Sequence, residues 1–392
     1  YFQVALGLPP SLEISCIKNC QERVNPDEKL IIESTCTANC YGQLEFKWIL
    51  FWFDNIDMPE PFDLSVLNEI SSETLSSMVT NPINELQMAF KPNTLVPERK
   101  YILQLLAKRP NNVTGAVRNT MILNDAPKGG NCSIFPPIGI SMVTTFNITC
   151  KNWQDPNLPI KYEYVYVVNG VRSVFLSHTA GIPGETVISS SKLPIGDTNR
   201  DNVLDIYVNI KDKFGSVTEQ NFTVKVEPPS NHEVNLNDLD NLLSGSGSPL
   251  DAGTNPQNVL SIAGVVASVL NHITQSVNGS SKNLTAEEMA RRRDQSEKVD
   301  ELKQNIMKSF SGINLTDMNT LLQLSGTMST LTQNPENLSP ATQEYGVQSC
   351  QVAVESLTRF SKGKSSFKDV QSAVTNLVSV VGQLTLGSTK PP

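Results

Sequence analysis

The chain has 392 residues and a formal net charge of −8. That length exceeds what one hydrophobic core usually serves, so about two to three domains are expected. The acidic balance favours no nucleic-acid partner, because phosphate binding needs clustered Lys and Arg. The one basic run, residues 291–293, lies between Glu287-Glu288 and the acidic residues that follow it, and reads as a solvated helix face.

Residues 11–110 read as strands around Ile14, Ile31, Trp48 and Leu103, broken by Asn, Asp, Pro and Gly clusters. Residues 64–79 are ambiguous between a short helix and an irregular insertion. Residues 128–228 repeat the strand pattern at spacings typical of a seven-stranded sandwich. Within it Phe146, Ile148 and Cys150 alternate with Asn147 and Thr149, so the first three share a buried strand face. Residues 229–256 shift to Pro, Ser, Gly, Asn and Asp and read as a linker.

Beyond residue 256 the apolar period changes from two to 3.6. Val259, Ile262, Ala263, Val266, Val269, Leu270 and Ile273 form one stripe. Residues 259–270 are the longest apolar run and are too short to span a bilayer. Thr285 and Glu288 form a capping box before a helix with Met289, Val299, Leu302, Ile306 and Phe310 facing inward. Ser339-Pro340 caps another helix, and Ser366 with Asp369 starts the last, whose predicted stripe is Val370, Val374, Leu377, Val381 and Leu384. The expected fold is tandem all-β sandwiches of immunoglobulin or fibronectin-III type (1–127 and 128–228), the linker 229–256, and a bundle of about five helices over 257–392.

The chain holds 7 cysteines. Cys16, Cys20, Cys36 and Cys40 have a spacing that would also suit zinc. Cys132 and Cys150, flanked by the acceptors Asn131 and Asn147, instead point to an oxidising compartment and to disulfides. A Cys132–Cys150 bridge is worth roughly 3 kcal/mol. Of the three connectivities open to the first four, nested pairing (Cys16–Cys40, Cys20–Cys36) is favoured for its constant register on two antiparallel strands. Asn-Xaa-Ser/Thr acceptors stand at Asn112, Asn131, Asn147, Asn221, Asn278, Asn283, Asn314 and Asn337. Cys350, on a stripe with Val347, Val354 and Leu357, is expected as a buried free thiol.

No catalytic constellation accompanies His178, His232 and His272, and no enzyme activity, cofactor or metal is expected. Asp197, Asn199 and Asp201 mimic the opening of a calcium loop, with Asp205 nearby. Asn202 replaces the required glycine and Val208 the bidentate Glu, so the segment reads as a turn. Trp48 and Trp153 are assigned to sandwich cores, and Trp52 less clearly so.

Gly129-Gly130, Cys132, Pro136, Gly139, Thr145, Phe146, Cys150, Trp153, Asp155, Pro159, Tyr162 and Tyr164 together resemble the core of the receptor-for-egg-jelly (REJ) module of polycystin-family proteins. The strand around Tyr101 and the segment from Leu193 to Val217 extend the resemblance to most of residues 10–228. By pattern alone, the helical stretch resembles the first subdomain of an autoproteolysis-inducing (GAIN) region. His272-Ile273-Thr274 mimics that region's cleavage tripeptide but lacks its Cys and Trp setting. The resemblance implies a cell-surface, non-catalytic glycoprotein that binds an extracellular protein or glycan ligand, or senses force. It further implies assembly with a polycystin-2-type cation-channel subunit, a role in calcium or other ion transport, and membrane attachment through sequence beyond residue 392. An adhesion or matrix module without a channel is the competing expectation. The chain opens without a secretory signal and reads as part of a longer protein.

Overall fold

The computed structural model describes residues 7–54, 57, 59, 64–168, 170–230, 233–244, 255–278, 285–361 and 367–388. Two compact units result, one of residues 1–127 with 212–217 and one of residues 128–211 with 218–392.

The first unit is a sandwich of two antiparallel sheets. β1 (Ser11–Lys18), β2 (Leu30–Ala38) and β5 (Gln87–Phe90) form one, in the order β1-β2-β5. β4 (Asn68–Ile70), β3 (Glu45–Phe53), β6 (Lys100–Lys108) and β7 (Thr114–Ile122) form the other in that order. This is the strand arrangement of a fibronectin-type sandwich. Trp48 is 1% exposed and its indole N–H donates to the Glu85 carbonyl at 2.7 Å, so the largest side chain of the core has its polar atom satisfied. The ambiguous stretch 64–79 is mixed. A short 3-10 turn (Leu64–Val66) and β4 precede α1 (Ser72–Met78), which Ser71 caps by accepting from the Thr74 N–H at 3.2 Å.

The second unit carries the other sandwich. β8 (Asn131–Phe135), β10 (Phe146–Lys151) and β13 (Val187–Ser191) make one sheet, ordered β13-β10-β8. β12 (Val171–Ala180), β11 (Ile160–Val168), β14 (Val203–Lys211), β15 (Val217–Glu227) and β9 (Ile138–Ile140) make the other in that order, with β9 parallel to β15. Between the sheets lie Phe146, Ile148, Cys150, Trp153, Tyr162, Tyr164, Ile206 and Val208 among others, so the predicted buried face of β10 is the one observed.

The outer face of the five-stranded sheet is covered by helices. α3 (Pro256–Asn278), α5 (Met318–Leu331) and α7 (Phe367–Ser388) contact β12, while α2 (Leu236–Ser244), α4 (Ala286–Phe310) and α6 (Pro340–Ser361) pack outside them. One apolar cluster joins Val165, Val174 and Ile195 of the sandwich to Leu260, Val266, Leu321, Met328, Leu377 and Val380 of the helices. Every residue of α5 is buried. Side chains stitch the layers: the Ile195 N–H donates to Ser268 Oγ at 2.9 Å, and Asn376 Nδ2 to the Arg172 carbonyl at 3.1 Å.

The structure departs from several expectations. Residues 229–256 contain α2, whose Leu239 and Leu243 enter the shared core; a short Leu-rich helix is hidden by the polar composition around it. Residues 128–228 and 257–392 share one compact unit, because the sheet has two apolar faces to cover. In α7 the buried stripe is Ala373, Leu377, Val380 and Leu384, with Val374 and Val381 exposed. Met289 is exposed near the start of α4, while Val299, Leu302, Ile306 and Phe310 are buried as expected. The capping box of Thr285 and Glu288 is present. Ser366 lies outside the described residues.

Candidate functional site

The cysteines frame both sandwiches. Cys132 of β8 stands directly opposite Cys150 of β10, and the two are bonded. In the first sandwich the bonds are local, Cys16–Cys20 and Cys36–Cys40, which overturns the nested pairing. The ladder explains the correction. Cys16 faces Ile32 and Cys36 faces Leu12, so Cys16 and Cys40 sit towards opposite ends of the β1–β2 hairpin. Asn19 and Asn39 adopt positive φ just before the second cysteine of each pair and turn the chain back, bringing the Cα atoms to 5.5 and 6.0 Å. With all four thiols bonded, no zinc ligands remain among them.

The residues that carry the sequence resemblance form a packing set. Gly129 has φ +79°, and a Cβ on Gly130 would fall 2.4 Å from the Trp153 ring. A Cβ on Gly139 would fall 2.6 Å from the Phe146 ring. Pro136 and Pro159 follow cis peptide bonds. Tyr162 and Tyr164 are buried, and Tyr164 accepts at its hydroxyl from Ser189 Oγ at 3.0 Å. Asp155 is buried, and its Oδ1 accepts from the Asn157 N–H at 2.6 Å. Thr145 is exposed.

The pattern matches a family. The sequence signature of the REJ domain covers residues 2–266. The chain belongs to the REJ domain family. That match runs through α2 into α3, past the end of the second sandwich. The REJ chain is 24% identical over 253 residues to the polycystin family receptor for egg jelly of Mus musculus, covering 63% of this chain and 11% of that protein. It is 23% identical over 273 residues to the Homo sapiens protein of the same name, covering 66% and 12%. It is 26% identical over 218 residues to polycystin-1-like protein 1 of Oryzias latipes, covering 53% and 7%. The chain therefore spans about a tenth of the length of these relatives. Among solved structures, the FN1–FN3 domains of chicken CNTN1 align with 56% of this chain and 69% of theirs, at a TM-score of 0.28 and 12% identity. The fold assignment rests on strand order instead.

The remaining candidate residues are scattered. Asp197 Oδ1 accepts from the Asn199 N–H at 2.9 Å, closing a turn. Arg200 pairs with both oxygens of Asp205, and Lys225 Nζ lies 2.9 Å from Asp201 Oδ2, so cations already hold those two carboxylates. Among the described residues no three His, Cys, Asp or Glu side chains converge as a metal site. His178 is exposed on β12, and His272 is half-buried on α3, where burial lowers its pKa. His232 lies outside the described residues. Arg291 pairs with Glu287 at 2.9 Å on the exposed face of α4. Trp52 is half-buried under the Arg99 guanidinium, 3.9 Å from the ring centroid. Cys350 is buried beside Ser349 and Ala353, whereas its expected companions Val347 and Val354 are exposed; burial pushes its thiol up to about 11.

Of the sugar acceptors, Asn112, Asn131, Asn147, Asn221 and Asn314 are exposed. Asn337 is half-buried, and its Nδ2 is enclosed without a hydrogen-bond partner. The side chain of Asn278 and all of Asn283 lie outside the described residues.

Sequence reasoning missed an ion network beneath the helical layer. Lys211 Nζ reaches Glu163 Oε2 at 2.5 Å and Asp369 Oδ2 at 3.0 Å, with Lys161 at 3.2 Å from Glu163 Oε1. Burial works to raise the Glu163 carboxyl, but the two lysines outweigh it and hold it below the usual range. Burial works to lower Lys211, and its two carboxylate partners hold it above its usual value. The signal lay in β11, where Lys161 and Glu163 interrupt a strand that is otherwise apolar on both faces.

Proposed function

We propose that this REJ chain is an extracellular, non-catalytic part of a polycystin-like receptor that binds a protein or glycan ligand or bears force. In this reading the full protein is anchored in the membrane through sequence beyond residue 392 and assembles with a polycystin-2-type cation-channel subunit. The helical layer corresponds to the start of a GAIN-type region. The exposed acceptors Asn112, Asn131, Asn147, Asn221 and Asn314 carry N-linked glycans, and Asn337 does not, because its amide nitrogen is enclosed.

One observation carries the reading: the helices and the second sandwich share a single apolar core. Load applied to the last helix then reaches β12 through side chains in contact. The bonded cysteines support an oxidising, extracellular setting. Single-molecule pulling of the chain from its two ends tests the mechanical half, with residues 128–388 expected to unfold in one large step. Helices peeling away at low force while the sandwich stays folded would contradict it. Co-capture of a cation-channel subunit with the full-length protein from surface-labelled cells tests the assembly, and capture of the receptor alone would contradict that part.

A further inference from the structure

The outer face of the β13-β10-β8 sheet presents Asn131, Ser133 and Phe135 from β8, Asn147, Thr149 and Lys151 from β10, and Ile188 and Ser190 from β13. Two large apolar side chains stand out there, Phe135 at 71% exposure and Ile188 at 63%. Phe135 lies beside a sugar acceptor. Asn147, on the central strand, is directly opposite Phe135 on one side and Ser190 on the other, while Ile188 is two rungs further along, opposite Thr149. Directly opposed side chains have Cβ atoms about 5 Å apart.

The carboxamide of Asn147 is oriented. Ser190 Oγ donates to Asn147 Oδ1 at 2.5 Å, which fixes the oxygen towards β13 and turns Nδ2 away from it, towards the Phe135 side. A sugar on Nδ2 leaves that acceptor in place. Asn131, the other acceptor on this face, is opposite Lys151 and has no aromatic cross-strand partner.

We propose that the glycan of Asn147 lays its first N-acetylglucosamine over Phe135, so that the sugar covers the exposed aromatic ring of this sheet. The proposal rests on the reading that Asn147 is glycosylated. Attachment uses a lipid-pyrophosphate-linked oligosaccharide. Its anomeric carbon loses the bond to the pyrophosphate oxygen and gains one to Asn147 Nδ2, which gives up a proton. The apolar C–H face of the pyranose and the acetamido methyl then lie on the phenyl ring, a contact of the kind that makes exposed aromatics worth covering.

The test uses the full chain secreted from glycosylating cells. It compares the native glycoform, the form trimmed to its first sugar, and the variants N147Q, N131Q and F135A. Trimming is expected to leave the unfolding equilibrium unchanged, whereas N147Q raises the unfolding constant roughly two- to tenfold, the range of one aromatic contact. N131Q is expected to leave it within about twofold. In the F135A background N147Q has no further effect. As a second readout, the acetamido methyl resonance of the Asn147-linked sugar is shifted upfield by the ring and returns to its ordinary position in F135A. Peptide mass spectrometry separates the premise from the inference. An unoccupied Asn147 overturns both, whereas an occupied Asn147 with an unshifted methyl, or an equal N147Q effect with and without Phe135, overturns the packing alone.

Discussion

Replacing Gly326 by Ala tests how closely α5 lies on the sheet. A Cβ at that position would sit 2.1 Å from Ser173 Oγ, 2.8 Å from its Cβ and 3.1 Å from its Cα. Rotating the serine hydroxyl removes the first clash only. The other two atoms belong to β12, which is held in its ladder by the pairing of Ser173 with Tyr166. The helix must therefore back away, and it has little room, being buried along its whole length. Overpacking of this kind costs about 1–3 kcal/mol, and the helix preference of Ala over Gly returns up to about 1 kcal/mol, leaving a net loss of up to about 3 kcal/mol. In a unit of this size that lowers Tm by up to about 12 °C. Gly382 is the internal control. It lies in α7 with nothing within 4 Å of an added Cβ, so Gly382→Ala is expected to stabilise by up to about 1 kcal/mol. Urea unfolding followed by circular dichroism measures both. A Gly326→Ala protein as stable as the Gly382→Ala protein would refute the close contact between α5 and β12.

Lys211→Met leaves Glu163 buried with only the longer Lys161 contact and is expected to destabilise by about 3 kcal/mol in urea unfolding. The pH dependence follows from the same network. Glu163 lies below its ordinary value of 4.5, so its contribution is present above that pH and is lost as pH falls through the lower folded value. Lys211 lies above its ordinary 10.5, so its contribution is full below that pH and is lost as pH rises through the higher folded value. Stability curves of wild type and the Met variant should converge at strongly acidic pH and run parallel between about 5 and 10. Peptide mapping without reduction should return Cys16–Cys20, Cys36–Cys40 and Cys132–Cys150, and any peptide linking the first two pairs would overturn the β1–β2 register. With its thiol near 11, Cys350 is ionised to about one part in a thousand at pH 8, so alkylation should be more than about a hundredfold slower in native than in unfolded protein.

The sandwiches were legible because period-two alternation leaves one choice of buried face, as at Phe146, Ile148 and Cys150. The helix start at Thr285 was legible for a similar reason, since cap chemistry is local. The faces of α7 were not, because valine occupies both its buried side (Val380) and its exposed side (Val374, Val378, Val381), and periodicity cannot rank two apolar stripes. The cysteine pairing failed on a backbone detail. Asn in the left-handed region before Cys20 and Cys40 makes four-residue closure easy, and the repeated Asn-Cys was the available sign. The union of helices with sandwich was also concealed, although β11 already reads as buried on both sides, with Tyr162 and Tyr164 facing one core and Val165 reaching the other. For the site, the family-like residues were visible but are packing residues, so they identify the frame and not a ligand. Phe135 beside Asn147 needed the register between β8 and β10, which no linear pattern supplies.

Native-state hydrogen exchange on the intact chain tests the shared core most directly. The amides of β12, β11 and α5 should exchange by one common opening, with the same free energy and the same denaturant dependence, because the sheet and the fully buried helix cannot separate without exposing Val174, Leu321 and Met328 together. Protection in α5 that is lost at lower denaturant than in β11 and β12, with the strands still closed, would show two independent units and would contradict the account.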